Sequence, residues 1–288
     1  MEGEDGESDN PRAFGCAAWW KRLIVLLAGA AMNFIFGLII LFVLYAPEKE
    51  VIVPEVAHVE QWCTIAGEDG IQVGDRFLEV DGEKIFVASD FSLLLQMNPA
   101  EKHDLVLLRD GEKVVLNDVP MVKKEVVDDN GNSSMLFGFS FSVVEADFPT
   151  KLSCVWNEAR DIIRNVRLSL QMLFTGKAGL MDMSGPVGIV SIMSSTADQA
   201  ETTQAAIRSM LYFGGFIAIN LAVMNLLPIP ALDGGRAVCL LLTTAAEKIT
   251  RKKIDPKYEA YLHTVGMILL FGLMMILVFK DIFMIFKG

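Results

Sequence analysis

Residues 219–236 read INLAVMNLLPIPALDGGR, an apolar run that breaks at one carboxylate. Asn225 interrupts the run, Pro228 and Pro230 break it, and Leu232-Asp233-Gly234-Gly235 closes it. Each proline removes a backbone donor and opens a helix. Irregular backbone at membrane depth persists only when it is buried in protein or lines a wet cavity. A carboxylate there is costly, so Asp233 is a functional residue by default. The plainer alternative is that Asp233 only caps the next helix at the membrane surface while the glycines make the turn. Sequence physics alone leaves both open.

Other groups able to do chemistry are few. The chain has three histidines (His58, His103 and His263) and four scattered cysteines (Cys16, Cys63, Cys154 and Cys239). No C-x-x-C pair exists, which excludes a zinc ribbon and a thioredoxin-type motif, and free thiols are expected. His263, at the start of an apolar span, reads as an interfacial histidine.

The elements that must position Asp233 follow from composition. Of 288 residues, 52% are hydrophobic, a share that points to membrane segments. A net charge of -11 excludes nucleic-acid binding, which needs a basic face. The first nine residues crowd Glu2, Glu4, Asp5, Glu7 and Asp9, a solvated end. Three stretches approach or exceed the roughly 20 apolar residues that a crossing needs. They lie at 22–46, 205–235 and 259–281. Lys21-Arg22 and the cluster Lys248, Arg251, Lys252 and Lys253 fall on one side of a three-crossing model, the cytoplasmic side. Residues 1–21 are then a cytoplasmic acidic segment, and 236–258 a basic cytoplasmic loop.

Residues 50–125 change character to short alternating runs bounded by Gly, Asp and Asn, which predicts a small β-rich domain outside. Asp81-Gly82 and Asp110-Gly111 are hairpin signals. Residues 126–204 hold a polar hairpin, a strand and a helix from Pro149 to Phe174, whose apolar residues recur at spacings of three and four. That helix either lies on the membrane surface or packs on the bundle.

GIQVGDRFLEVDGEKI, residues 70–85, resembles the core of bacterial PDZ domains, with Asp90–Gln96 as the helix beside the peptide groove. Upstream, Cys63 to Asp69 departs from the small-residue run usual there. N-x-x-P-x-P-x-L-D-G, filled here from Asn225 to Gly234, resembles the second signature of the site-2 protease family. Met183 to Ile189 matches its S-G-P-x-G segment. AGAAMNFIFGLI, which contains Asn33, matches its second transmembrane helix, with Ala30-Ala31 in place of the usual Gly-Pro. The resemblance covers nearly the whole chain and is nearest the bacterial RseP/RasP branch.

It implies a multi-pass α-helical membrane protein with an inserted small α+β PDZ-like domain, in a bacterial inner or plasma membrane. It implies an intramembrane zinc metalloendopeptidase acting on single-pass membrane substrates, such as anti-sigma factors or signal-peptide remnants. It assigns Asp233 as the third protein ligand of Zn2+, and gives Asn225, Pro228 and Pro230 the substrate strand. The family's H-E-x-x-H, bearing two zinc ligands and the general base, does not occur in this sequence. No catalytic residue is therefore assigned, and the chain as written is expected to be inactive. It reads as a truncated copy of a protease or, alternatively, as a PDZ-bearing scaffold that binds without cutting. A transporter also uses broken helices, but three spans, no inverted repeat and a β-rich insert argue against one.

Overall fold

The computed structural model describes residues 17–127, 133–177, 179, 185–200, 202–251, 255 and 257–287. The chain divides into two units: Met1–Leu44 with Ile162–Gly288, and Tyr45–Asp161.

The first unit is helical. It contains α1 (Trp19–Tyr45, whose last residue falls in the second unit), and past the β-rich unit α4 (Pro186–Asp198), α5 (Thr203–Asn225), α6 (Asp233–Thr250) and α7 (Lys257–Lys287). α1, α5 and α7 are each long and apolar enough to cross a membrane. Large side chains such as Ile24, Phe36, Phe271 and Phe283 face outward, as expected where lipid is the solvent. Lipid gives little hydrophobic drive between helices, so close backbone approach does the holding. At Gly37 of α1 a Cβ would come within 2.5 Å of Ile219 Cγ1 and 3.2 Å of the Gly215 carbonyl oxygen, so only glycine lets α1 and α5 meet there. Ala30, Leu41 and Ile219 are fully buried. Leu26 of α1 meets Ala237 and Leu240 of α6, flanked by Leu23 and Leu27.

The stretch read as a basic loop, 236–258, is helical as far as Thr250. α6 carries Asp233 in its first turn and Lys248 in its last, which suits the helix dipole, and ends on Arg251 in the left-handed conformation (φ 57°). Its basic composition had masked its periodicity. The span read as 205–235 ends earlier, at Asn225. Of the acidic segment 1–21, residues 1–16 lie outside the described residues, as do Met183 and Ser184.

The second unit holds β1 (Glu50–Val59), β2 (Arg76–Val80), β3 (Glu83–Lys84), α2 (Ser89–Met97), β4 (Lys102–Arg109), β5 (Glu112–Pro120), β6 (Lys124–Val127), β7 (Ser133–Leu136) and β8 (Phe139–Glu145). α3 (Phe148–Phe174) begins here and continues into the first unit. The main antiparallel sheet has the order β5-β4-β2-β1-β8, with β3 paired to β2. Both Asp-Gly hairpins form. Asp81 and Gly82 (φ 51° and 79°) and Asp110 and Gly111 (φ 51° and 86°) take the left-handed pairs that twist-matched two-residue turns require.

β8 lies beyond the expected boundary at 125 yet pairs with β1 from Glu50↔Glu145 to Val59↔Phe139. Phe139 and Phe141 join Phe77 and Phe91, with ring centroids 4.9–6.0 Å apart, so the domain core needs this late strand. The hairpin expected at 128–134 is β6-β7; its tip, 128–132, lies outside the described residues.

Candidate functional site

α5 ends at Asn225, and the chain turns through Leu226–Leu232 before α6 begins at Asp233. The turn is tied by its own backbone: Leu226 N–H to Val223 O (3.1 Å), Leu227 N–H to Met224 O (3.1 Å), Ile229 N–H to Leu227 O (2.7 Å) and Leu232 N–H to Ile229 O (3.1 Å). Pro228 is exposed and Pro230 half-buried. The glycines after Asp233 have a clear steric purpose. A Cβ on Gly234 would strike the backbone of Leu226 and Leu227, and one on Gly235 the backbone of Ile229. Both are buried, so the first turn of α6 lies directly on the proline loop.

Asp233 is half-buried. The N-cap of α6 is Leu232, in extended conformation, and the Asp233 carboxylate accepts no hydrogen bond among the described residues. The plain capping role is therefore not the one it takes. Its Oδ2 lies 3.5 Å from where a Cβ would stand on Gly29, so it is turned toward α1 at a point where α1 has no side chain. Pro228 and Pro230 thus lie in one loop bracketed by Asn225 and Asp233, and Asp233 stands beside α1.

Sequence reasoning missed three features. Gly29 carries no signal of its own. His263 of α7 is not simply interfacial: its Nδ1 accepts the Ala231 N–H at 3.2 Å and lies 3.5 Å from Arg236 Nε. Asp281, at the expected end of the third span, is a buried carboxylate that accepts the Gly188 N–H at 2.7 Å and lies 3.4 Å from Lys280 Nζ. A Cβ on Gly185 would stand 2.7 Å from Asp281 Oδ2, and one on Gly188 3.1 Å, which explains the two glycines of the S-G-P-x-G segment. The signal was available, because a carboxylate in an apolar helix asks for a partner.

A catalytic zinc takes three protein ligands and an open position. No three His, Cys, Asp or Glu side chains come together to hold a metal ion among the described residues. His58 is exposed near Glu60, and His103 is buried on Asp81 with its Nδ1 2.7 Å from Oδ2. Among the described residues, the donor set does not fit a catalytic zinc.

In the β domain, two carboxylates meet basic partners. Asp75, fully buried, takes Arg109 Nε and Nη2 at 2.8 Å each, and Arg109 Nη2 also reaches the Gly70 carbonyl at 2.6 Å. The Asp75 carboxylate holds the Arg109 pKa above its ordinary value. At Asp81, burial opposes the ionised form. Hydrogen bonds from His103, Asn98 and the Asp104 N–H outweigh it and keep the carboxyl below the usual range.

A broken membrane helix with a P-x-P-x-L-D-G loop, together with an inserted β domain, defines the class, and comparison with known proteins names it. The model of peptidase family M50 matches residues 2–273, and the chain belongs to that family of zinc metalloproteases. A Clostridium perfringens relative is 34% identical over 286 residues, covering 98% of this chain and 79% of its own length. The Bacillus subtilis regulator of sigma-W protease RasP is 30% identical over 275 residues, 94% of this chain and 61% of its own length. The zinc metalloprotease RasP of Shouchella clausii is 31% identical over 276 residues, 96% of this chain and 62% of its own length.

Proposed function

We propose that this chain carries the substrate-strand and carboxylate half of an intramembrane zinc metalloendopeptidase. Asp233 supplies one metal ligand. Asn225, Pro228 and Pro230 hold the unwound segment of a single-pass membrane substrate as an extended strand. Substrates of the anti-sigma-factor or signal-peptide-remnant kind fit this role, in keeping with the sigma-W regulation in the name of the Bacillus subtilis relative. The β domain is the PDZ-like part, extracytoplasmic in a bacterial plasma membrane, and it docks or filters substrates already clipped once. The observation that carries the reading is the placement of Asp233: at the first turn of α6, without a hydrogen bond among the described residues, and beside the bare backbone of Gly29.

As written, the chain cleaves no peptide bond, because these 288 residues contain no H-E-x-x-H. A second reading, a scaffold that binds without cutting, is favoured by the same donor count.

The test reconstitutes the chain in nanodiscs with zinc and a single-pass substrate, alone or with a co-expressed apolar helix bearing H-E-x-x-H. Cleavage is expected only with the added helix, and not in Asp233→Asn. Stoichiometric zinc and cleavage by the chain alone would overturn inactivity. Substrate capture without cleavage in either arm would establish the scaffold.

A further inference from the structure

The proline loop has a seat on α7. His263 and Gly266 stand three residues apart and so share a helix face. A Cβ on Gly266 would stand 2.6 Å from Pro230 Cβ and from the Pro230 carbonyl carbon and oxygen. Pro230 therefore rests directly on the α7 backbone, and any larger residue at 266 must displace it. One turn earlier, His263 Nδ1 accepts the Ala231 N–H. Ala231 sits at φ 89°, a left-handed conformation that residues with a Cβ rarely adopt. Its N–H, half-buried next to Pro230, has no helical partner, since the loop's own bonds begin again only at Leu232 N–H. An unmade bond there would leave a polar group desolvated. Arg236 Nε approaches the same nitrogen at 3.5 Å. Two N–H groups aimed at Nδ1 require that nitrogen to be bare, so the ring carries its proton on Nε2.

From this geometry we infer that His263 and Gly266 form the seat that sets the position of the Pro228–Asp233 loop. His263 is the positioning residue that holds Ala231 in its strained conformation and thereby aims Asp233 at Gly29. Only Leu232 separates Ala231 from Asp233, and a backbone flip at Ala231 would swing the carboxylate off α1. This gives the seat its use only on the protease reading above, but the seat itself is a matter of geometry and is tested without activity.

The experiment places Gly29→Cys and Asp233→Cys in the full chain, with Cys16, Cys63, Cys154 and Cys239 replaced by Ser, in native membranes. The rate of intrachain disulfide formation under copper phenanthroline is read by mass spectrometry. His263→Leu is expected to slow it about tenfold, the loss of one buried hydrogen bond. His263→Asn, whose Oδ1 takes the place of Nδ1, keeps the rate within about twofold. Ala231→Gly added to His263→Leu restores most of the rate, because glycine takes the left-handed conformation freely.

Equal rates in His263→Leu and His263→Asn, or no recovery with Ala231→Gly, would overturn the inference. Should His263→Leu not fold, Gly266→Ala serves in its place: it must slow the reaction with His263 intact, and an unchanged rate is equally fatal. Failure of the H-E-x-x-H complementation above, with these rates as expected, removes the protease reading and leaves the seat standing.

Discussion

The two units solve the same packing problem in opposite ways. In the β domain, water drives assembly: large rings from β2, α2 and β8 fill the core, the buried charge of Asp75 is met by Arg109, and the buried His103 ring is met by Asp81. In the membrane unit, lipid removes that drive, and tight contact occurs where a side chain is missing. Gly37 meets Ile219, Gly185 and Gly188 meet Asp281, Gly234 and Gly235 meet the proline loop, and Gly266 meets Pro230. One unit is sensitive to what is taken away, the other to what is added.

The largest expected effect tests the first half of that contrast. Arg109→Leu leaves Asp75 buried without its cation and is expected to destabilise the β domain by about 3–5 kcal/mol. Hydrogen exchange across β2 and β4 reads the loss. Joint replacement of Asp75 and Arg109 by apolar residues should recover much of it, because a buried pair stabilises far less than an orphaned charge destabilises. Equal damage from the single and double replacements would break the comparison.

The second effect tests the other half. Gly37→Ala adds a single methyl group and removes no interaction, yet it is expected to cost about 1–3 kcal/mol by overpacking α1 against α5. The resistance of the full chain to unfolding in mixed micelles measures it. A methyl added at Gly272, where no atom stands within 4 Å of the Cβ position, is the control and should be silent. If both are silent, glycine contacts do not hold the membrane unit together.

This contrast also explains what the sequence made legible. The Asp-Gly turns could be read because a two-residue turn is specified by its own two residues. The three spans could be read because length and apolarity are local properties. The P-x-P-x-L-D-G loop stood out because prolines in an apolar run have few structural uses. β8 was missed as part of the domain because its pairing with β1 spans about ninety residues, and nothing local to FGFSFSV names its partner. α6 was missed because its basic end hid an amphipathic helix. The seat on α7 was invisible for the same reason as β8. Gly266 and His263 acquire meaning only from Pro230 and Ala231, more than thirty residues away, and a glycine notch leaves no trace in hydropathy.

The smallest effect sharpens the account of the β domain through pH. The folded state holds the Asp81 carboxyl below its ordinary pKa, so its contribution to stability is complete above about pH 4, the ordinary aspartate value. As pH falls from there through the lower folded value, the unfolded chain takes up the proton first and the contribution fades. His103 and Asn98 lose their charged acceptor in the same window. Asp81→Asn should therefore lower stability at pH 7, by about 1 kcal/mol for a hydrogen-bonded carboxylate that is partly exposed. It should also flatten the acid limb of the stability curve of the β domain below pH 4. The difference between the two curves isolates Asp81 from the other carboxylates. A variant that keeps the full acid limb would show that the Asp81–His103 contact forms without contributing to stability, and that Asp75–Arg109 alone accounts for the charged part of this core.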